Sequence, residues 1–587
     1  MKVDIIQNQL PSGAVVAPLI IVTDKTTLTQ FSGDKKAYPV YLTIRNISKH
    51  IRCQSSSHAT VLIGYLPISK LECFREAGDC RKFAVYRLFH HCMQIILEPL
   101  IAAGQSGIEM TCADKFVRRV FPILTAYVAD YPEQCLVACC MENRCPCCVV
   151  GRDQCGENLK SPLRSPAATL DTLSRHKNGK SPYLFDDEGL RPIYYPFWAD
   201  LPYTNIFACI TPDILHQLHK GVFKDHLVKW CTALTSRDEI DARFQAMTDY
   251  HGLRHFNKGI SSITQWTGKE FKEMECVILV VLARLVDAGV LKALRAILDF
   301  VYYAQYQSHT DITLARMQDA LNTFHLHKHV FVELRNDEGF NIPKVHSMLH
   351  YLDPICSLGS ADGYNTESPE RHHIDYAKEA YRTRNGVDYI AHMTKWLQRQ
   401  EAVDRQTSYL DWVLPVPTSM DPGLFTPSGI IPGHGYQLPK TCSFPKTPVT
   451  RLASAFGAQD FVPAFQAFLN KHIPHLRISA SIYDRFNVYK YFSVLLPSPP
   501  HISDQKQQNK IRACCTIPSR GPRKSETPAH FNTVLVVQDR NLHQMLGGLH
   551  GWLYRYLYRY GLTYHLLQDF ALPRSGSFSD YHPNMAC

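Results

Sequence analysis

Several sets of residues in this chain have the types and spacing that chemistry needs. In NIPKVHSMLHYLDPICSLGSADGYNTESPERHHIDYAKEAYRTRN, Asn341 to Asn385, two carboxylates, Glu367 and Glu370, stand at a loop-to-helix junction crowded with histidine. Two apolar runs, APLIIV and RRVFPILTAYVAD, each end by delivering an aspartate, Asp24 and Asp130. Acids at the C-terminal ends of buried strands emerge from a sheet edge into a crevice, where open α/β sheets put their ligand chemistry. Carboxylates converging there suit hard divalent cations such as Mg²⁺. Phosphodiester cleavage uses a pair of such ions ~3.5–4 Å apart, one on the attacking and one on the leaving oxygen. Asp213-Ile-Leu-His216 adds an imidazole able to orient a carboxylate or meet a phosphate.

A second chemistry is written in sulfur. Seven of the 20 cysteines, Cys135, Cys139, Cys140, Cys145, Cys147, Cys148 and Cys155, fall within 21 residues. Cys145 and Cys148, with Pro146 shaping the knuckle, form a zinc half-site that Cys140, Cys155 or His176 could complete. His346 and His350 lie one turn apart, but no glutamate follows His346 as a metalloprotease HExxH pattern requires. They are therefore assigned, with His325, His327 and His329, to packing or contact with a nucleic-acid backbone. Each set also has an ordinary structural account. Asp24 and Asp130 can be turn residues, Asp213 a helix cap over packed histidines, Glu370 a first-turn carboxylate, and Cys135 and Cys139 buried apolar groups.

The elements that must position these residues follow from periodicity. Residues 17–67 predict three strands, APLIIV, AYPVYLTIRNI and ATVLIGYLP, followed by the helix RKFAVYRLFHHCMQIILEPLIAAG and a fourth strand ending at Asp130. That order is an α/β opening. From about Asp213 to His329 the apolar spacing is helical and predicts an inserted helical domain. In SPERHHIDYAKEAYRTRN, Ser368 is the expected N-cap, with Pro369 in the first turn. Past Trp412 two stretches, VLPVPTSMDPGLFTPSGIIPGHGYQLP and LPSPPHISDQKQQNKIRACCTIPSRGPRKSETPAH, look like linkers around a small folded segment, and an aromatic amphipathic tail, GWLYRYLYRYGLTYHLLQDF, ends the chain.

Composition bounds the partners. A chain of 587 residues with 45% hydrophobic content is globular and long enough for several domains. Its 63 basic and 53 acidic residues give +10, which admits nucleic acid without demanding it. The best apolar run, CVILVVLARLVDAGVLKALRAILDF, is broken by Arg284, Asp287, Lys292, Arg295 and Asp299, so no membrane span is expected. MKVDIIQNQLPSG lacks the apolar core of a secretion signal, so reduced, metal-binding cysteines in an intracellular protein are expected.

Taken together, VTDKTTLTQFSGDKKAYPVYLTIRNI, YVADYPEQCLVACCMENRCPCC, TPDILHQLHKGVFKDHLVKW and the TESPER segment resemble the Plavaka transposases of fungal DNA transposons, relatives of the CACTA group. The resemblance spans Pro18 to Trp412, about two thirds of the chain. It implies an RNase H-like mixed α/β catalytic core interrupted by a zinc knuckle and a large helical insertion, with a loosely structured C-terminal region. The expected segments are 1–135 for the first part of the core, 136–180 for the cysteine-rich knuckle, 181–340 for the helical insertion, 341–412 for the last core helix and 413–587 for the remainder.

The resemblance implies a DDE-type site in which Asp24 and Asp130 are the first two acids. Glu370 is preferred to Glu367 as the third, because Glu370-Arg371 matches the Glu-Arg pair that opens a helix in related groups. Asp213 and His216 match an Asp/Cys-x-x-His signature. It further implies Mg²⁺ or Mn²⁺ as cofactor, structural zinc, a homo-oligomer in the nucleus, and transposon ends and target DNA as partners. Lys220, Lys224, Arg371, Lys378, Arg382 and Arg384 are the candidate phosphate contacts. Only 23 residues precede Asp24, fewer than the family pattern, which suggests a truncated copy. The rival reading is an inactive or host-adopted remnant that binds DNA.

Overall fold

The computed structural model describes residues 6–413 apart from 30–34, 55–56, 70, 72–77, 113, 249–252, 264–265, 332–339 and 383–387. Farther on it describes 436–439, 442–472, 479–496, 507–517, 529–531, 535–536 and 552–553. The chain falls into two compact units, 1–416 and 417–587.

The first unit is mixed α/β. Among the described residues its main sheet has five strands, β1 (Val15–Thr23), β2 (Pro39–Ile44), β3 (Thr60–Tyr65), β4 (Ile108–Thr111) and β5 (Val117–Val128), in the order β3-β2-β1-β5-β4, and Thr26–Thr27 pairs with Lys36–Ala37 in a small separate ribbon. β1 runs antiparallel to β2 and parallel to β5, and β4 is an antiparallel edge strand on β5. Helix α1 (Asp79–Ser106) links β3 to β4 and packs on β5. The three N-terminal strands, the helix and the strand leading to Asp130 thus match the sequence periodicity. The edge strand β4 has all four residues exposed, so it carries no apolar alternation to announce it.

β1 reads as an unbroken apolar run because both of its faces are buried. Ile20 and Val22 face a core built from the helical region, whereas Ile21 faces a second core with Phe89, Met93 and Leu97 of α1 and the buried cysteines. The helical block consists mainly of α3 (Ile214–Val228, π-helical), α4 (Gly268–Leu282), α5 (Ala288–Ala304) and α6 (Asp311–His327), with α2 (Tyr131–Val137) lying earlier, after β5. α5 buries Val290, Leu294, Ile297, Val301 and Ala304 at helical spacing. Among the described residues no helix is long and apolar enough to cross a membrane.

The second unit has a core of Val449, Leu452, Phe456, Ala458, Phe461 and Cys515. Residues Gln507–Cys514, expected to be linker, form a strand paired antiparallel with Tyr491–Leu496. Their partner is the preceding strand, whose hydrogen bonds override the polar composition that suggested a linker. Most of the aromatic tail lies outside the described residues.

α3 and α4 are joined by a buried polar pair, His219 Nδ1 to Glu275 Oε1 at 2.6 Å, with both side chains fully shielded. Truncating one partner strands the other in the core. Glu275→Ala should lower the unfolding free energy by about 3–5 kcal/mol. The urea midpoint measures this, and Glu275→Gln should cost less.

Candidate active site and metal centre

The geometry at Asp24 and Asp130 is set by a slip in strand pairing. Along the first half of β1 each residue pairs with the one 105 positions later, Leu19 with Leu124, but from Ile20 onward the partner is 106 later, Ile20 with Ala126 and Val22 with Val128. Thr125 is the extra residue, and its hydroxyl donates to the Leu19 carbonyl at 3.0 Å. The last pair is Val22 with Val128, and the shifted register continued two residues further would align Asp24 with Asp130, whose charge Asp24 feels. Without the bulge Asp24 would face residue 129, and the two acids would fall out of step.

Asp130 caps α2, accepting the Glu133 backbone N–H at Oδ1 over 3.0 Å. The turn-residue account is therefore correct as far as one oxygen goes. Asp213 caps α3 and is almost wholly buried. Oδ1 accepts from Leu215 N (3.1 Å) and Thr366 Oγ1 (2.7 Å), and Oδ2 from His216 N (3.0 Å) and His216 Nδ1 (2.9 Å). A carboxylate so saturated orients His216 and has little left for a cation.

The two candidates for the third acid, Glu367 and Glu370, lie on α8 (Glu367–His373), C-terminal to α7 (Pro343–His346). α8 begins at Glu367, one residue before the expected cap Ser368. Thr366 takes the cap position but spends its hydroxyl on Asp213, and Asn365 Oδ1 accepts the Glu367 N–H instead. Glu367 pairs with Lys272 of α4 at 2.6 Å, whereas Glu370 lies in the field of Asp24, Asp213 and His216.

Titration behaviour reports the crowding. Burial pushes Asp24 up to about 7, with His216 opposing and Asp130, Glu370 and Asp213 adding to the rise. Glu370, although its side chain is still exposed, is raised as well, first by partial burial, then by Glu367 and Asp213, with His216 opposing. Burial alone would lower His216, but its hydrogen bond to Asp213 and the charges of Asp213, Asp24 and Asp130 lift it to about 9. His216 is thus a cation at neutral pH. His373 Nδ1, 3.9 Å from Asp24 Oδ2, is driven down to about 4 by burial and by Lys378 and His372, so it approaches Asp24 as a neutral ring.

One acid beside the site was not singled out in the sequence. Glu133 is pushed up to about 8 by burial and by Asp130, against hydrogen bonds from Thr23 and Tyr38. Its only sequence signal is its place three residues after the Asp130 cap.

The metal centre differs from expectation. Cys145 and Cys148 do form half of a cluster, but its other half is His346 and His350, with all four donor atoms within 4.8 Å of one another. Cys145 Sγ is 3.3 Å from His350 Nε2, Cys148 Sγ is 3.2 Å from His346 Nε2, and the two Nε2 atoms are 3.3 Å apart. A tetrahedral zinc with ordinary bond lengths spaces sulfur and nitrogen by ~3.5 Å and two nitrogens by ~3.3 Å, so the donor set fits. Burial opposes ionisation of Cys145, but hydrogen bonds from Cys147 and Cys148 and the nearby His350 hold it well below the ordinary thiol value.

The residues expected to complete the half-site are engaged elsewhere. Cys140 Sγ lies 3.9 Å from the Cys145 carbonyl, Cys155 Sγ 3.7 Å from that of Gly151, and His176 stacks on Phe185 and contacts the Tyr194 hydroxyl at 3.2 Å. The assignment of His346 and His350 to packing is corrected accordingly. Their metal partners lie some 200 residues earlier, outside any local motif. Beneath the knuckle the buried guanidinium of Arg164 donates to the Cys145 carbonyl (2.9 Å) and pairs with Glu188 (3.1 Å).

Of the candidate phosphate contacts, Lys220, Arg371 and Arg382 are exposed and Lys378 is half-buried. Lys224 pairs with Asp225 at 3.3 Å, and Arg384 lies outside the described residues.

Residues 1–231 match the model of the Plavaka transposase family. The resemblance read from the sequence is borne out over that stretch, which contains the whole sheet, Asp24, Asp130, the cysteine knuckle and Asp213-x-x-His216. The matched residues stop at 231, whereas Glu370, His346 and His350 come later. No match was found among curated proteins.

The cluster predicts one equivalent of zinc per chain in metal analysis of the purified protein. Cys148→Ser and His346→Ala should each lose it and lower the melting temperature by on the order of 10 °C, whereas Cys155→Ser and His176→Ala should keep it.

Proposed function

We propose that this chain is a DDE-type transposase with an RNase H-like core, in which Asp24, Asp130 and Glu370 hold Mg²⁺ or Mn²⁺. The observation that carries the reading is the register of β1 on β5, which would align Asp24 with Asp130 beyond the ends of adjacent parallel strands, with Asp24 in the field of Glu370. The strand order β3-β2-β1-β5, with β1 parallel to β5 and antiparallel to β2, supports the core assignment. The match to the transposase family supports DNA as substrate.

Bound there, the divalent cations supply Lewis acidity to the attacking and leaving oxygens. The chain does the rest by position. Asp24 and Glu370, raised above the ordinary carboxylate range by burial and by their acidic neighbours, would lose their protons to solvent as a divalent cation bound. Asp130 keeps Oδ1 on its helix cap and offers Oδ2. His216, a cation held through Nδ1 by Asp213, meets a phosphate with its remaining ring nitrogen. In cleavage a water oxygen bonds to phosphorus while the P–O3′ bond breaks and the 3′ oxygen takes up a proton. In strand transfer that 3′-hydroxyl attacks a target phosphodiester and displaces its 3′ oxygen. Cys145, Cys148, His346 and His350 would hold zinc in a structural role, and exposed Lys220, Arg371 and Arg382 would follow the DNA backbone. Action in the nucleus as a homo-oligomer rests on the family resemblance.

Nicking of supercoiled plasmid with Mg²⁺ or Mn²⁺ tests the assignment. Asp24→Ala, Asp130→Ala and Glu370→Ala should each cost about 10³-fold or more, ~4 kcal/mol of barrier, and leave gel-shift affinity for DNA intact. Glu367→Gln should stay within a few-fold of the parent. DNA binding without any metal-dependent nicking by the parent protein would instead identify a DNA-binding remnant.

A further inference from the structure

Glu133 is an expensive residue for its place. It is 8% exposed and lies among apolar groups of the core facing α1, where a leucine would pack without the cost of desolvating a carboxyl. Its surroundings explain the choice. The Thr23 hydroxyl donates to Glu133 Oε1, the Tyr127 hydroxyl lies 2.7 Å from the same Thr23 oxygen, and the Tyr38 phenol also hydrogen-bonds the carboxyl. These three hydroxyls come from the last residue of β1, the residue before β2, and the penultimate residue of β5. Glu133 therefore gathers the ends of the three central strands at the level where the acids emerge.

Its two contacts toward the site are distinct. Through its side chain it holds Thr23, the residue before Asp24. Through its backbone N–H it holds Asp130 Oδ1. We propose that Glu133 is the positioning residue of the acidic pair, fixing Asp24 through Thr23 and Asp130 through its own N–H so that the two carboxylates present a preformed seat for a divalent cation. It does not itself ligate the ion, because its oxygens are turned to Thr23 and Tyr38. The inference rests on the reading of Asp24 and Asp130 as metal ligands. Residues that orient metal ligands characteristically change metal affinity or activity by about 10–100-fold when removed.

Direct Mn²⁺ binding to the full chain by calorimetry, alongside plasmid nicking, tests it with three variants at position 133 and one at 23. Glu133→Leu fills the space and needs no partner, so its melting temperature should stay near or above that of the parent, yet its Mn²⁺ dissociation constant should rise about 10–100-fold. Glu133→Gln keeps an acceptor for Thr23 and should restore binding to within a few-fold. Thr23→Val should weaken Mn²⁺ binding in the parent but add little in Glu133→Leu, since both changes cut the same link. Should Glu133→Leu not fold, Glu133→Ala with Thr23→Val completes the same cycle. Parent-like Mn²⁺ affinity in a folded Glu133→Leu would overturn the positioning role. If instead Asp24→Ala also binds Mn²⁺ like the parent, the metal-site reading itself fails.

Discussion

Like-charge repulsion is the constraint around which this molecule is arranged. Asp24 lies in the field of Asp130, Glu370 and Asp213 beyond the end of its strand, and Glu133 in that of Asp130 and Asp24. In water such charges would separate, and in a partly desolvated crevice they shift their own titration or demand compensation. The structure compensates selectively. Asp213 is neutralised by the imidazolium of His216 and filled by four hydrogen bonds. Glu133 is raised to about 8, chiefly by burial and then by Asp130, which favours its neutral form. Asp24 and Glu370 stay raised all the same, because burial and their acidic neighbours outweigh the relief that His216 gives them.

Keeping these acids assembled requires ties between distant parts of the chain. The segment that leads to Glu370 is fastened repeatedly along its length. His346 and His350 meet Cys145 and Cys148. Tyr351, the next residue, is fully buried and donates to the Asp213 carbonyl at 2.9 Å. Lys49 reaches Ser360 (2.8 Å) and Asp362 (3.1 Å), Arg52 donates to the Gly363 carbonyl at 3.1 Å, and Thr366 closes on Asp213. A chain of amides, Gln134 to the Ala129 and Thr211 carbonyls and Gln217 to Gln134, joins the end of β5 to the start of α3. The Cys/His cluster is thus one anchor in a series that leads from Cys145 and Cys148 to the segment carrying Glu370.

Much of the frame was legible. The apolar runs before Asp24 and Asp130 were readable as strands because strands buried on both faces need no alternation. The helical block was readable because α5 keeps its apolar residues on one face. Other parts were hidden for identifiable reasons. β4 is fully exposed and exists through pairing with β5. The strand at Gln507–Cys514 is polar and exists through pairing with Tyr491–Leu496. At α8 the expected cap, Ser368, lies inside the helix, because the chain turns helical at Glu367, where Thr366 is tied to Asp213, 153 positions earlier, and Asn365 accepts the Glu367 N–H.

The sequence by itself determined which groups were available: two aspartates at strand ends, a Glu-Arg pair at a helix start, an Asp-x-x-His element and a Cys-x-x-Cys knuckle. These are local facts, fixed by side-chain type and spacing. Tertiary structure decided their pairing. Whether Asp24 aligns with Asp130 depends on one extra residue in β5, which no spacing within either strand reveals. Whether His346 and His350 join Cys145 and Cys148 depends on a loop closure across some 200 residues, and Glu133 becomes more than a helix-start acid only once three strand ends converge on it. Local propensity can place a ligand on an element, but the distance between ligands on different elements is set by packing and register.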